Sequence, residues 1–375
     1  MPTSTPPASR SGRAAASAPA SGEPIPPRGS ENAAPPPPSP RVPPRGDTSA
    51  SQAAALSGAP QRPQTPDLEL AGYLLARQIT GRPVPAPTVA LLQRANESKK
   101  EVLQLMQYGR ANVSTDLQAT NNEGFHRLLA QRHVIGSTSS LGQAPAHTFA
   151  HDAALAARAG SGNCGEFAFV AAHVHAGRLQ AGESLTVEKA PDFDHSWVAV
   201  KGRASPGGTV PRVVIDVWGD GPVIDVNDGT FTAPANDTPL VEHTIHHADA
   251  ATANQRFESL RVNLGERTER RLDLMISANK RDERKPTGTV YEPMPIVDST
   301  FCADARHALQ NEADQAQFRQ AAATLGRETT ALANGPDEAA VERIIDFAAN
   351  LDVPHDRHLA APPAKRQRTT PDEDL

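Results

Sequence analysis

The sequence predicts an α+β fold, with helices at both ends and, between them, one helix followed by a run of antiparallel-looking strands. Three observations carry this. Apolar residues recur at helical spacing from Leu68 to Leu105; short apolar runs bounded by turn residues crowd between Ser184 and Ile245; helical spacing then returns from Phe257 to Leu351.

The elements follow in order. Residues 1–65 are Pro, Ala, Ser and Gly with scattered arginine, including Pro35-Pro36-Pro37-Pro38. Such a segment has too little apolar surface to offset its chain entropy, so disorder with polyproline character is expected. It reads either as a plain tail or as an export signal that must stay unfolded. Its Ser/Pro-rich start, with no acidic residue before Glu23, fits the signals read by bacterial type III secretion systems. Residues 66–160 read as a helical region: one helix through Leu68, Leu70, Tyr73, Leu74 and Leu75, a second from Val89 to Leu105 across Pro83 to Pro87, a polar stretch from Ser114 to Asn122, a short helix around Phe125, Leu128 and Leu129, and another from Phe149 to Ala159.

Residues 161–250 carry the change of grammar. Ser161-Gly162-Asn163 is a turn that opens a helix through Cys164, Phe167, Val170, Ala171 and Val174, ending at Gly177. Candidate strands run Ser184 to Glu188, His195 to Lys201, Arg212 to Trp218 and Pro239 to Ile245, separated by Pro191 and Ser205-Pro206-Gly207-Gly208. Residues 251–355 read as helical again, with Phe257 to Ala278, Ala303 to Leu325 and Glu338 to Leu351 as the segments. Residues 356–375 read as a disordered tail, whose Lys365-Arg366-Gln367-Arg368 fits either a solvated charge cluster or a nuclear import signal.

Composition narrows the function classes. The 35 prolines and 4% aromatic content say that not all 375 residues are packed, and a core of roughly 220 to 280 residues with tails fits usual domain scaling. A net charge of -6 argues against nucleic-acid binding by the whole body. Cys164 and Cys302 are too few for a disulfide framework, which points to a reducing compartment at the site of action. No run of about 18 apolar residues exists, so no membrane span is expected, and Met1-Pro2 lacks the glycine that myristoylation needs.

Chemistry concentrates on three residues. Cys164 starts a helix, where unpaired backbone N–H groups and the helix dipole favour a thiolate and can bind an oxyanion. Gly165 beside it leaves room for a substrate carbonyl. His195 opens the apolar run Ser196-Trp197-Val198-Ala199-Val200, which places an imidazole at a strand end, within reach of such a thiol. Asp194 would point to the opposite face of the strand. Asp216 interrupts Val213-Val214-Ile215-Asp216-Val217-Trp218, a run that reads as a buried strand, where an unpaired carboxylate would cost several kcal/mol or more. His195 on a neighbouring strand is its natural partner, with Asp220 and Asp225 as fallbacks. His173, His175, His243, His246 and His247 lack metal-ligand spacing, and Asp225-Val226-Asn227-Asp228-Gly229 departs from a calcium loop, so neither a metal nor a cofactor is expected.

These residues resemble the transglutaminase-like core, with Gly162-Asn163-Cys164-Gly165-Glu166-Phe167-Ala168, His195-Ser196-Trp197-Val198 and Val214-Ile215-Asp216 matching its three motifs. From about residue 70 onward, Asp116-Leu117-Gln118-Ala119-Thr120-Asn121 and Phe125-His126-Arg127-Leu128-Leu129 extend the resemblance to the HopX/AvrPphE family of type III secreted effectors of plant-pathogenic bacteria. The resemblance implies a papain/transglutaminase-like fold and a Cys-His-Asp triad. It also implies delivery into a plant cell, a host protein substrate, a secretion chaperone, and action in the host cytoplasm or nucleus. It further implies a second essential region for a target or cofactor, falling here on Asp116 and Asn121. Proteolysis, deamidation, transamidation and asparagine de-glycosylation all remain open, as does a catalytically silent binding role for the same scaffold.

Overall fold

The computed structural model describes residues 65–138, 145–204, 209–232, 238–330 and 335–354, with Arg357 and Leu359. The expected secretion segment through residue 64, the Ser205–Gly208 loop and the basic run at 365–368 lie outside the described residues.

The central helix organises the rest. Helix α6 (Cys164–Ala176) is buried on nearly every face, through Phe167, Val170, Ala171 and Val174, so it can only sit inside the protein. Around it pack α2 (Ala86–Leu105), α5 (Pro145–Ala159), α7 (His247–Val262) and the strands β1 (Ser184–Lys189) and β2 (Ser196–Lys201). Its two histidines each make one internal bond: His173 Nδ1 meets the Phe169 carbonyl at 2.8 Å and His175 Nδ1 meets Ser98 Oγ at 2.9 Å, while His175 Nε2 has no partner among the described residues. Burial pushes them down to about 4 and about 3, so both stay neutral near pH 7.

The sheet adds β3 (Arg212–Ile215), β4 (Ile224–Asp225) and β5 (Leu240–His246), in the order β4-β3-β2-β1-β5 with every neighbour antiparallel. Register follows hydrophobicity. Val187, Val198 and Ile215 are paired across three strands and each has 0% exposure; burying one such side chain contributes about 1.5–3 kcal/mol. β4 escaped the sequence reading because two residues are too few to show alternation.

The remaining helices are α1 (Thr65–Ile79), α3 (Ser114–Ala119), α4 (Glu123–Thr138), α8 (Glu266–Arg281), α9 (Ser299–Leu309), α10 (Gln315–Thr329) and α11 (Glu338–Ala349). α1 packs on α9, α10 and α11, and α8 on α4. Two expectations are corrected. The helix read from Phe257 to Ala278 is two, broken where Asn263 ends α7 and Gly265, at φ 84, starts α8. The helix read from Ala303 to Leu325 breaks at Asn311, whose side chain accepts the Ala313 N–H at 3.2 Å and caps a short 3-10 turn. The polar stretch after Val113 forms α3, followed by a turn with Asn121 and Asn122 at φ 51 and 62.

The described residues fall in one compact unit, and its core draws on residues from Leu68 to Leu351. The fold is α+β, as the element order predicted.

Candidate active site

The position of Cys164 is set by the loop before it. Gly162 exchanges backbone hydrogen bonds with Gly109 and Ala111, and Ser161 Oγ donates to the Gly109 carbonyl at 2.8 Å. A Cβ on Gly162 would fall 2.4 Å from Glu166 Cβ, so only glycine fits there. Glu166 then accepts the Asn163 N–H at 2.8 Å and is bound on its outer side by Arg132, which fixes where α6 begins. Cys164 is consequently the first residue of the helix, 8% exposed. The N–H groups of its first turn are not used by the helix's own ladder. Beside them, a Cβ on Gly165 would meet nothing within 4 Å.

His195 sits on the turn that enters β2. Its N–H donates to the Phe193 carbonyl at 2.7 Å and its carbonyl accepts the Ala190 N–H at 3.0 Å, which pins its backbone. Nε2 meets Asp216 Oδ2 at 2.6 Å; Nδ1 has no hydrogen-bond partner among the described residues, and the Cys164 thiol is near enough to interact with the ring. Because Nε2 is committed to the carboxylate, which accepts its hydrogen bond, Nδ1 is the ring nitrogen left for the thiol. The Cys164 thiol donates to the Asp194 carbonyl at 3.7 Å. As expected, the Asp194 side chain points away, paired with Lys189 at 3.1 Å and 76% exposed.

β3 ends at Ile215, so Asp216 stands just past the strand rather than within it. It is nonetheless buried, and both of its oxygens are used: Oδ2 by His195 and Oδ1 by the Gly219 N–H at 2.8 Å. A side chain on Gly219 would fall 2.1 Å from Ile296 and 2.8 Å from Asp216 Oδ2. Burial favours the neutral forms of both groups, but each counteracts it in the other. Asp216 is held below the usual carboxylate range by His195, the Gly219 N–H and Arg357. His195 is pushed up to about 10 by Asp216 and Cys164. The pair is therefore an imidazolium and a carboxylate.

Aromatic rings close over it. Phe193, Trp197, Trp218 and Phe231 have ring centroids 5.0 to 6.3 Å from His195, and Phe193 stacks on Phe231 at 5.5 Å. His195 has 0% exposure as a result.

The two other residues singled out on sequence behave differently. Asp116 is buried at 2%, and its carboxylate accepts from the Arg110 backbone N–H at 2.8 Å, from Nε at 3.0 Å and from Nη2 at 2.7 Å. Its contacts are internal, so it presents no surface to a target. Burial would raise it, but Arg110 and Arg357 hold it below the usual carboxylate range. Asn121 is exposed, on the turn after α3. The fallback Asp220 pairs with Arg110 at 2.7 Å, and Asp225 accepts the Asn227 N–H at 3.0 Å.

Arg110 and Arg357 went unnoticed in the sequence, where nothing in their spacing separates them from the other arginines. A hollow between α1, α2 and α10, lined by Leu74, Val84, Val89 and Leu325, has Glu328 as its one charged lining residue and holds no comparable chemistry. Among the described residues no group of three or more His, Cys, Asp or Glu could hold a metal, and no helix is long and apolar enough to cross a membrane. Comparison with family models, with curated proteins and with solved structures finds no match in any of the three.

Proposed function

We propose that this chain is a thiol enzyme of the papain/transglutaminase type, in which Cys164 is the nucleophile, His195 the base and Asp216 the orienting carboxylate. The observation that carries the reading is the orientation of His195: Nε2 is bound to Asp216, and the unpartnered Nδ1 lies on the ring that the Cys164 thiol reaches from a helix N-terminus.

The steps follow from these positions. With His195 an imidazolium that already carries the proton on Nδ1, Cys164 acts as its thiolate partner, and the sulfur attacks a substrate carbonyl carbon. Its oxygen takes the negative charge beside the N–H groups that open α6. When the tetrahedral species collapses, the C–N bond breaks and His195 returns the proton to the departing amine. A thioester is left on Cys164. Water then gives hydrolysis or deamidation, whereas an amine gives transamidation, and His195 takes the acceptor's proton in either case.

The resemblance to HopX/AvrPphE effectors supports a type III secreted protein acting on a host protein in plant cells to modulate immunity. A second reading, a silent binding module, draws on the complete burial of His195. One experiment decides. Wild type and a folded Cys164→Ala variant are compared in host cells, with mass spectrometry of host proteins for cleavage, a deamidation mass shift or cross-links. Loss of phenotype and modification together supports catalysis; an unchanged phenotype leaves binding as the function.

A further inference from the structure

The peptide unit between Trp218 and Gly219 joins two parts of the protein. Its N–H, that of Gly219, donates to Asp216 Oδ1 at 2.8 Å. Its carbonyl, that of Trp218, accepts from Arg110 Nη1 at 3.0 Å and from Arg357 Nη2 at 3.1 Å. Arg357 Nη2 also donates to the Gly219 carbonyl at 2.8 Å, and its Nε reaches Asp220 Oδ1 at 3.3 Å. Two cations thus grip one side of a peptide plane whose other side holds the carboxylate of the triad.

We propose that Arg357, working with Arg110, is a positioning residue for catalysis. The inference rests on the thiol-enzyme reading above.

Two arguments support it beyond the contacts. Charge-assisted bonds to a carbonyl polarise the peptide and strengthen its N–H as a donor, so Asp216 is held electronically as well as sterically. Burying Arg357 is also costly: burial lowers its proton affinity, Arg110 nearby lowers it further, and Nη1 has no hydrogen-bond partner among the described residues. An apolar side chain would anchor the chain at less cost, so a guanidinium here is explained by what it holds. Arg110 itself is kept charged by Asp116 and Asp220, which gives Asp116 an indirect part in the same support.

The test is the pH profile of Cys164 alkylation by iodoacetamide, read by peptide mass spectrometry. The charged groups that bear on it are Asp216 and Cys164 at His195, Arg357 at Asp216, and Lys189 at Cys164. In wild type the rate is already high at pH 7. In Arg357→Met, which keeps bulk but not charge, the pH 7 rate falls by about tenfold or more while the rate at pH 9.5 largely recovers, the direction expected of Asp216→Asn. Arg357→Lys keeps the charge without the fork and shifts the same way by less, which covers the case in which the Met variant fails to fold. A chain ending at Leu359 keeps the wild-type profile. A folded Met or Lys variant with the wild-type profile would overturn the inference, because a merely structural anchor changes stability without moving the profile. A wild type no more reactive than Cys302 would instead sink the enzyme reading.

Discussion

Replacing Asp216 by Asn probes the site with little change of shape. In the wild type, burial works against a charged His195, yet Asp216 and then Cys164 push it up to about 10. Without the carboxylate, burial dominates and the imidazole is neutral at pH 7. The distance from the ordinary value near 6.5 to about 10, at about 1.4 kcal/mol per tenfold, is on the order of 5 kcal/mol, an upper bound on the linked stability. The sign follows from a pKa raised in the folded state: the contribution is complete below about 6.5 and is lost as pH rises toward about 10. Urea denaturation of the wild type therefore shows falling stability across that window, and Asp216→Asn shows no comparable fall. Asn can also offer its NH2 to Nε2, forcing the ring proton onto Nδ1, where it blocks acceptance from the thiol. Alkylation of Cys164 at pH 7 should accordingly slow by more than tenfold and recover in alkali. A variant with both wild-type profiles would refute the reasoning.

Other substitutions separate packing from chemistry. Gly219→Ala would drive a methyl into Ile296 and Asp216, so it should cost about 1–3 kcal/mol in urea denaturation and slow alkylation as well. Gly165→Ala meets open space and replaces a helical glycine, so thermal denaturation should show about 0.5–1 kcal/mol of added stability. Labelling by a bulky peptidyl chloromethyl ketone should slow while iodoacetamide is unaffected. Glu166→Ala removes the acceptor for the Asn163 N–H and the partner of Arg132, and about 1 kcal/mol should be lost by the same measurement.

The parts of the site visible in the sequence were those with a local signature. A turn ending in Asn163 before an apolar run marks a helix start, His195 opens a run of β-formers, and a carboxylate among Val213, Val214, Ile215 and Val217 demands a partner. Each is a conflict or boundary readable within about ten residues. The support around them has no such mark. Arg110 and Arg357 stand 247 positions apart and meet at one carbonyl only after the chain has folded. Asp116 entered through resemblance, and its burial beside Arg110 gives it an internal contact that residue types alone did not suggest. The helix errors have the same origin, since apolar spacing continues through Asn263 and Asn311 while backbone geometry at Gly265 and side-chain capping at Asn311 end the helices.

The most direct test of the central claim is competitive labelling of the two thiols at pH 7 in the native protein. Burial, with Asp352 nearby, pushes Cys302 up to about 12, so it should stay unlabelled until the protein unfolds. Cys164 should react with iodoacetamide at least as fast as free cysteine, and lose that reactivity in His195→Gln. Equal and slow labelling of both thiols in folded protein would contradict the account and leave Cys164 as a buried structural residue.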